Sequence, residues 1–464
     1  MSRYAIATLL LLPWLALAQS VAITGVTVID ATGAAPRPDM TVLLSGNRIS
    51  ALGKTGEIGV PADSRVVDAK GKFLIPALWD MHVHWNDAAY LPLFIANGVT
   101  GIRIMWGLPP HLEQRKRIAE GSLLGPKMVI AGPLIDGPRP YWKESVAAGT
   151  PEQGRQAVQR TRAEGYDFVK IYDSLPRAVF FALADEASRL NLPIAGHTPA
   201  AVGVAAASGA GQKSIEHLTG MLVGVSSDEQ VLRREFAAAS RLQPAAETAA
   251  MLRTLGARML DTYDADKARA LYAKLKANGT WQVPTFTVLR FNSYAREPQH
   301  AADLRLRYVP SWVREMWATD PRNRDLLPEN LEHQKRIFQR RLELVGEMHR
   351  AGVGILAGSD VLNPYCFPGF SLHDELEWLV KAGLSPMAVL QAATRSPAMY
   401  LERAQDLGTV EKGKIADLVL LDADPTLDIR NTRRIAAVVA GGKLFDREAL
   451  ARMLGDVERL AGAN

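Results

Sequence analysis

Residues 73–85 read FLIPALWDMHVHW, an apolar run that reaches Asp80 and then sets His82 and His84 one residue apart. In an extended strand, positions two apart share a face, so the two imidazoles point the same way. Further apolar strand candidates follow: GVTGIRIM (98–105), KMVIAG (127–132), DFVKIY (167–172), LPIAGH (192–197), KSIEHL (213–218), TWQVPTF (280–286) and VGILAGSD (353–360). The segments between them, such as PEQGRQAVQRTRAEG (151–165) and RAVFFALADEASRLN (177–191), carry helical spacing and good helix formers. Eight strand–helix repeats over residues 76–406 predict a TIM (β/α)8 barrel, enlarged by mostly helical insertions at 222–278 and 290–350.

Outside this middle the pattern changes. VAITGVTVIDATG (21–33), DMTVLLSGNRISALG (39–53) and SRVVDAKGKFLI (64–75) are short β-branched runs with Gly and Asn punctuation. LGTVEKGKIADLVLLDADP (407–425) and RRIAAVVAGGKLF (433–445) repeat that character before a last helix from about Arg447 to Leu460. The prediction is an α/β chain whose barrel carries a small β-sandwich built from both chain ends, residues 19–75 and 407–464.

The first residues, MSRYAIATLLLLPWLALAQS, show Arg3, an apolar run, and then Ala16-Leu17-Ala18 as a small-x-small site. They read as a signal peptide over residues 1–18, cut after Ala18, with a periplasmic or secreted product. The run is short for a membrane span and no later stretch is long enough, so stable membrane insertion is not expected. The 54 Lys and Arg against 49 Asp and Glu are spread without a dense basic run, which argues against a nucleic-acid groove. The lone cysteine, Cys366, permits no intrachain disulfide and reads as loop packing.

In a TIM barrel the reactive groups stand where strands end. The strand candidates end on His82 and His84, Lys170, His197, His217 and Asp360. Imidazole and carboxylate suit zinc and related divalent ions, and this set is larger than one structural zinc needs, so two divalent metals are expected. Lys170 beside two dications is driven neutral by burial and like charge. Its amine could then add carbon dioxide, giving an anionic carbamate with two oxygens to bridge the metals.

These residues resemble the amidohydrolase superfamily in its binuclear form: HxH on strand one, Lys on strand four, His on strands five and six, Asp on strand eight. Residues 407–425 are similar to the return segment of that family's small β-sandwich. The resemblance implies that His82, His84 and Asp360 hold one metal, that His197 and His217 hold the other, and that a carboxylated Lys170 bridges them. It also implies a metal-bridging hydroxide as nucleophile, with Asp360 as proton shuttle. Residues 168–199 look like the subgroup of imidazolonepropionase-like enzymes and metal-dependent prolidases. That favours cleavage of a C–N bond in a small molecule or peptide, such as a dipeptide or N-acyl amino acid. A lactonase, esterase or phosphotriesterase is the second reading, since the same metals serve those bonds.

Substrate contacts are assigned to Tyr172, two residues beyond Lys170, to Arg103 as a carboxylate fork, and to Trp85, Trp106 and Tyr365 as an aromatic lining. His373, opening the helix after strand eight, reads as either a ligand-orienting or a helix-surface histidine. Asp80 orients a ligand or caps the turn. Oligomeric state is left open, with a homo-oligomer compatible.

Overall fold

The computed structural model describes residues 20–85, 87–239, 245–294, 300, 302–320 and 328–463. The expected signal peptide, residues 1–18, lies outside the described residues. No described helix is long and apolar enough to cross a membrane.

The chain is mixed α/β. Its strands are β1 (Val21–Val28), β2 (Arg37–Ser45), β3 (Arg48–Lys54), β4 (Arg65–Asp68), β5 (Phe73–Pro76), β6 (Leu78–Val83), β7 (Val99–Ile104), β8 (Lys127–Ile130) and β9 (Ile135–Asp136). There follow β10 (Val146–Ala147), β11 (Val169–Ile171), β12 (Ile194–Gly196), β13 (Gln212–Glu216), β14 (Trp281–Val283), β15 (Leu418–Leu421), β16 (Ile435–Ala440) and β17 (Lys443–Asp446).

Both chain ends enter one eight-stranded sheet, ordered β17-β16-β15-β5-β1-β2-β3 with β4 on β1. The β15 strand lies antiparallel on β5, pairing Val419 with Ile75. This sheet has its own apolar core, which includes Val26, Val42, Leu74, Ala416 and Leu418.

The remaining strands pair in parallel, in the sets β6-β7-β8 and β10-β9-β11-β12-β13-β14. Parallel bridges join these sets: Ala131 pairs with Phe168, Gln282 with Ile355, and Val83 with Val361. Hydrogen bonds follow the same path, with Leu356 N donating to Gln282 O at 2.9 Å and Met81 N to Ala357 O at 2.9 Å. The segment read as strand eight is therefore held by single bridges at Ile355 and Val361 rather than by a long ladder.

Residues 73–84 do not form one strand. The run breaks at Ala77, whose N–H turns to Asp417 O (2.9 Å), while Leu78 N–H bonds Gly98 O (2.9 Å). Phe73–Pro76 thus belongs to the terminal sheet and Leu78–Val83 to the inner strands. The insertions are helical, including Glu229–Ala239, Ala245–Asp261 and Ala265–Ala277 in the first, and Ser311–Ala318 and Pro328–Ala351 in the second. The last helix, Arg447–Ala463, buries Leu450 against Ile95 and Val438.

Candidate metal centre

The ends of β6, β12 and β13 and the turn after Ile355 bring His82, His84, His197, His217 and Asp360 together. His82 Nε2 lies 3.2 Å from His84 Nε2. Asp360 Oδ1 is 3.3 Å from His82 Nε2 and 3.1 Å from His84 Nε2, and Asp360 Oδ2 is 3.7 Å from His217 Nδ1. The His82 and His217 rings are 4.5 Å apart between centroids, and those of His197 and His217 are 4.9 Å apart.

Several backbone features force this convergence. Asp360 (φ 59°), His217 (φ 57°) and Thr285 (φ 51°) are all left-handed, a conformation that costs a non-glycine residue energy and clusters at functional sites. Asp360 N–H donates to His82 O at 2.8 Å, fixing the carboxylate beside the imidazole pair. Before His197, Gly196 has φ +136°, and a Cβ there would stand 2.2 Å from Ile171 O, so only glycine lets β12 approach β11 this closely.

The Nδ1 atoms of three rings are already engaged. His82 Nδ1 is 2.7 Å from Glu216 Oε2, and His197 Nδ1 is 2.9 Å from Asp173 Oδ1. His217 Nδ1 is 2.6 Å from Thr285 Oγ1, whose own proton goes to Pro284 O at 2.7 Å. Glu216 and Asp173 can only accept, so the Nδ1 atoms of His82 and His197 carry the proton and their Nε2 atoms are left with a lone pair, whereas His217 Nδ1 stands between Thr285 Oγ1 and the Asp360 carboxylate. Imidazoles held this way are typical metal ligands whose other nitrogen is oriented by a carboxylate or hydroxyl. Among the described residues His84 Nδ1 is buried without a hydrogen-bond partner. The donor set therefore fits a divalent cation; one nitrogen each of His82 and His217 and one oxygen of Asp360 lie within 4.8 Å of one another.

Lys170 is 1% exposed. Burial pulls its ammonium down from 10.5 to about 8, against the opposing pull of Glu216 and Asp360. Burial likewise holds His82 and His217 well below the ordinary imidazole range. For Asp360 burial acts upward, but His217 and the hydrogen bond from His84 outweigh it and keep the carboxyl well below the usual range. Asp80 is fully buried, accepting from Ser359 N (2.9 Å), His82 N (3.2 Å) and the Ser359 hydroxyl. It fastens β6 to the turn that carries Asp360.

Arg103 requires a correction. It is not a fork for a substrate carboxylate, because its guanidinium is fully buried and already spent. It donates to Glu216 Oε1 (2.9 Å) and Oε2 (3.0 Å), to Met81 O (2.7 Å), to Ser214 Oγ (3.0 Å) and to the Tyr400 hydroxyl (2.8 Å). Trp85 is corrected too: it is 1% exposed, packs edge-on against Tyr90, and sends its indole N–H to Asp87 O, so it belongs to the core. Tyr365 stands in a different aromatic cluster, against His300, Phe291 and Trp317, beside a cavity of about 460 Å³ that Thr287, Asp303 and Arg305 also line. His373 is buried rather than on the helix surface, and both its ring nitrogens are engaged away from the cluster, Nε2 with Asn97 O (3.0 Å) and Nδ1 with Thr432 Oγ1 (2.9 Å). Tyr172 remains at the site, its ring 4.1 Å from that of His197. Trp106 lies 6.0 Å from Trp142 between ring centroids.

Sequence reasoning missed Glu216, and with it Asp173 and Thr285, the partners of His197 and His217. Glu216 is fully buried and receives His82, Arg103 and the Ser214 hydroxyl (2.6 Å). Its sequence signal was its place in KSIEHL, a carboxylate inside an apolar strand that needs a buried cation, with Arg103 available in another strand.

The sequence model of the Amidohydrolase family matches residues 73–445. The chain belongs to the amidohydrolase family. Ochratoxinase of Aspergillus niger is 22% identical over 441 residues, covering 80% of this chain and 75% of the relative. Among solved structures, a bottromycin amidohydrolase superposes with a TM-score of 0.77 at 24% identity, covering 96% of this chain and 91% of its own. A putative prolidase from Bifidobacterium longum gives 0.67 at 23% identity, over 95% and 99%. At such identities the structural likeness speaks for the fold. Family membership places this amidohydrolase among enzymes that act on carbon–nitrogen bonds.

Proposed function

We propose that this amidohydrolase is an exported, metal-dependent hydrolase that cleaves the amide bond of a small substrate, such as a dipeptide or N-acyl amino acid. One observation carries the reading: His82, His84 and His217 converge on the Asp360 carboxylate, while Glu216 and Asp173 hold the Nδ1 atoms of His82 and His197. The apolar segment ahead of Ala18 supports export, and the ring of parallel pairings supports a closed (β/α)8 barrel in residues 76–406.

In this reading His82, His84 and Asp360 would hold one divalent ion and His197 and His217 a second, with a carboxylated Lys170 between them; zinc suits the nitrogen and oxygen donors. When bound, the ions supply Lewis-acid polarisation of the carbonyl and lower the pKa of water toward about 7. Asp360, kept anionic by His217 and His84, takes a proton from the attacking water and passes it to the leaving amine. Glu216 and Asp173 fix the tautomers of His82 and His197, and Arg103 holds Glu216.

The test is a mass-spectrometric turnover screen of pooled dipeptides, N-acyl amino acids, lactones and phosphotriesters. It uses the chain from Gln19 with zinc or manganese and bicarbonate, beside a chelated control and Asp360→Asn. Amide loss that stops on chelation, and falls by at least about 10²-fold in the variant, is the expected result. Cleavage confined to lactones or phosphotriesters, or turnover indifferent to chelation, would overturn the reading.

A further inference from the structure

Residues 137–145, between β9 and β10, carry two large aromatic side chains that the fold leaves wet: Tyr141 is 62% exposed and Trp142 42%. Scattered exposed aromatics are ordinary, but these belong to a continuous series. From the candidate metal centre outward, the His197 ring lies tilted by 33° on Tyr172 (4.1 Å between centroids), Tyr172 is tilted by 32° to Tyr141 (6.4 Å), Tyr141 meets Trp142 edge-on (5.0 Å), and Trp142 is tilted by 47° to Trp106 (6.0 Å). The indole N–H of Trp142 donates to the Tyr172 hydroxyl at 3.3 Å, tying the loop to the residue after β11.

The loop is held in place. Asp136, fully buried, accepts from Tyr141 N at 3.0 Å and from Ser174 N at 2.8 Å, so one carboxylate fastens the aromatic loop to the loop behind Tyr172. Gly137 sits so close that a Cβ would stand 2.2 Å from Ser174 O. Ser145 N closes the turn onto Trp142 O at 3.0 Å. At the far end of the series, the indole Nε1 of Trp106 is buried without a hydrogen-bond partner among the described residues. A buried donor left without an acceptor is costly, and an acceptor brought by a water or by a ligand satisfies it.

We infer that Tyr141, Trp142 and Tyr172 form a platform that stacks a planar aromatic group of the substrate on the His197 side of the site. Trp106 donates its indole N–H to an acceptor beside that ring. The inference rests on the amide-hydrolase reading for the identity of the substrate, but not for the binding of the ring. Flat π faces recognise flat π faces in offset or edge geometry, an advantage beyond area burial that a saturated ring of equal size does not share.

The test separates the two claims by using probes with no scissile bond. Calorimetry compares 3-phenylpropanoate with 3-cyclohexylpropanoate on the metal-loaded protein. The expected result is tighter binding of the aromatic probe by about 10-fold, as stacking on more than one ring should give. Trp142→Ala and Tyr141→Ala, both at exposed positions, should reduce that ratio toward one while melting temperature and metal content hold. Trp106→Phe, which keeps a ring and removes the donor, should weaken both probes by roughly 5-fold and leave their ratio alone. Equal affinity for the two probes, no binding of either, or a preference that survives both alanine variants would overturn the platform. If the preference holds while the turnover screen finds only lactones cleaved, the platform stands and the amide reading falls. If amides are cleaved and the preference is missing, the reverse is true.

Discussion

His82 Nδ1 lies 2.7 Å from Glu216 Oε2 with both side chains closed to solvent, and Arg103 donates to both oxygens of the same carboxylate. The arrangement is a chain of charge, guanidinium to carboxylate to imidazole, that ends on a lone pair at His82 Nε2. Outer-shell carboxylates of this kind raise ligand basicity and fix ring orientation.

Glu216→Gln keeps an oxygen that His82 can donate to and removes the charge. Metal affinity is expected to fall by about 10- to 100-fold, read by titration against a competing chelator. Ser214→Ala, which deletes a 2.6 Å hydrogen bond to Glu216 but no charge, should cost about 1 kcal/mol of stability and leave metal affinity within a few-fold. Equal metal affinity in Glu216→Gln and the parent chain would remove Glu216 from the centre.

What was legible in the sequence, and what was not, follows from how local each signal is. His82 and His84 share a face because strand period is local, and the polar residues closing apolar strands stood out one by one. The roles of Arg103, Trp85 and Tyr365 were not local. Whether an arginine meets solvent or a buried Glu216 depends on strands more than a hundred residues apart, here β7 and β13. The break at Ala77 was hidden because both halves of residues 73–84 are apolar and each pairs in a different sheet. The order of residues 137–145 hung on Asp136, a single carboxylate in a loop-like stretch with no periodicity to mark it. The left-handed backbone at His217, Thr285 and Asp360 was equally invisible, since none is a glycine.

If Lys170 bears a carbamate between two ions, then Lys170→Ala should bind fewer metal ions per chain than the parent, measured by elemental analysis after bicarbonate loading. Native mass spectrometry of the parent should show one added carbon dioxide that is absent in the variant. Two tightly bound ions and full turnover in Lys170→Ala would refute the bridging role.

Arg103→Met tests whether this residue serves the fold or the substrate. Removing one partner of a buried ion pair strands the other, so a loss of about 3–5 kcal/mol is expected in urea unfolding. Activity should fall with metal content rather than through KM alone. A variant that melts like the parent and shows only a raised KM would restore Arg103 to the substrate. Arg103→Lys is not expected to rescue, because an ammonium cannot reproduce the five contacts the fork makes to Glu216, Met81, Ser214 and Tyr400.

Glu375 gives a pH dependence of definite sign. It is fully buried in the helix Phe370–Lys381 and accepts from Thr287 N (2.9 Å) and Thr287 Oγ1 (3.0 Å), and burial pushes its carboxyl up from 4.5 to about 8. Between those two values the folded chain binds a proton that the unfolded chain has released. Stability from this group is therefore complete below about 4.5 and is lost as pH rises toward about 8, at up to about 1.4 kcal/mol per pH unit. Asp80, raised by burial to about 7, acts in the same direction, so the parent slope has more than one source. Glu375→Gln keeps an acceptor for Thr287 and cannot titrate. The difference in urea midpoint between parent and variant, followed from pH 5 to pH 8, isolates Glu375: the variant should gain on the parent at each step upward. A difference that stays flat across that range would mean the Glu375 carboxyl is ionised in the folded chain throughout, held there by a cation or water.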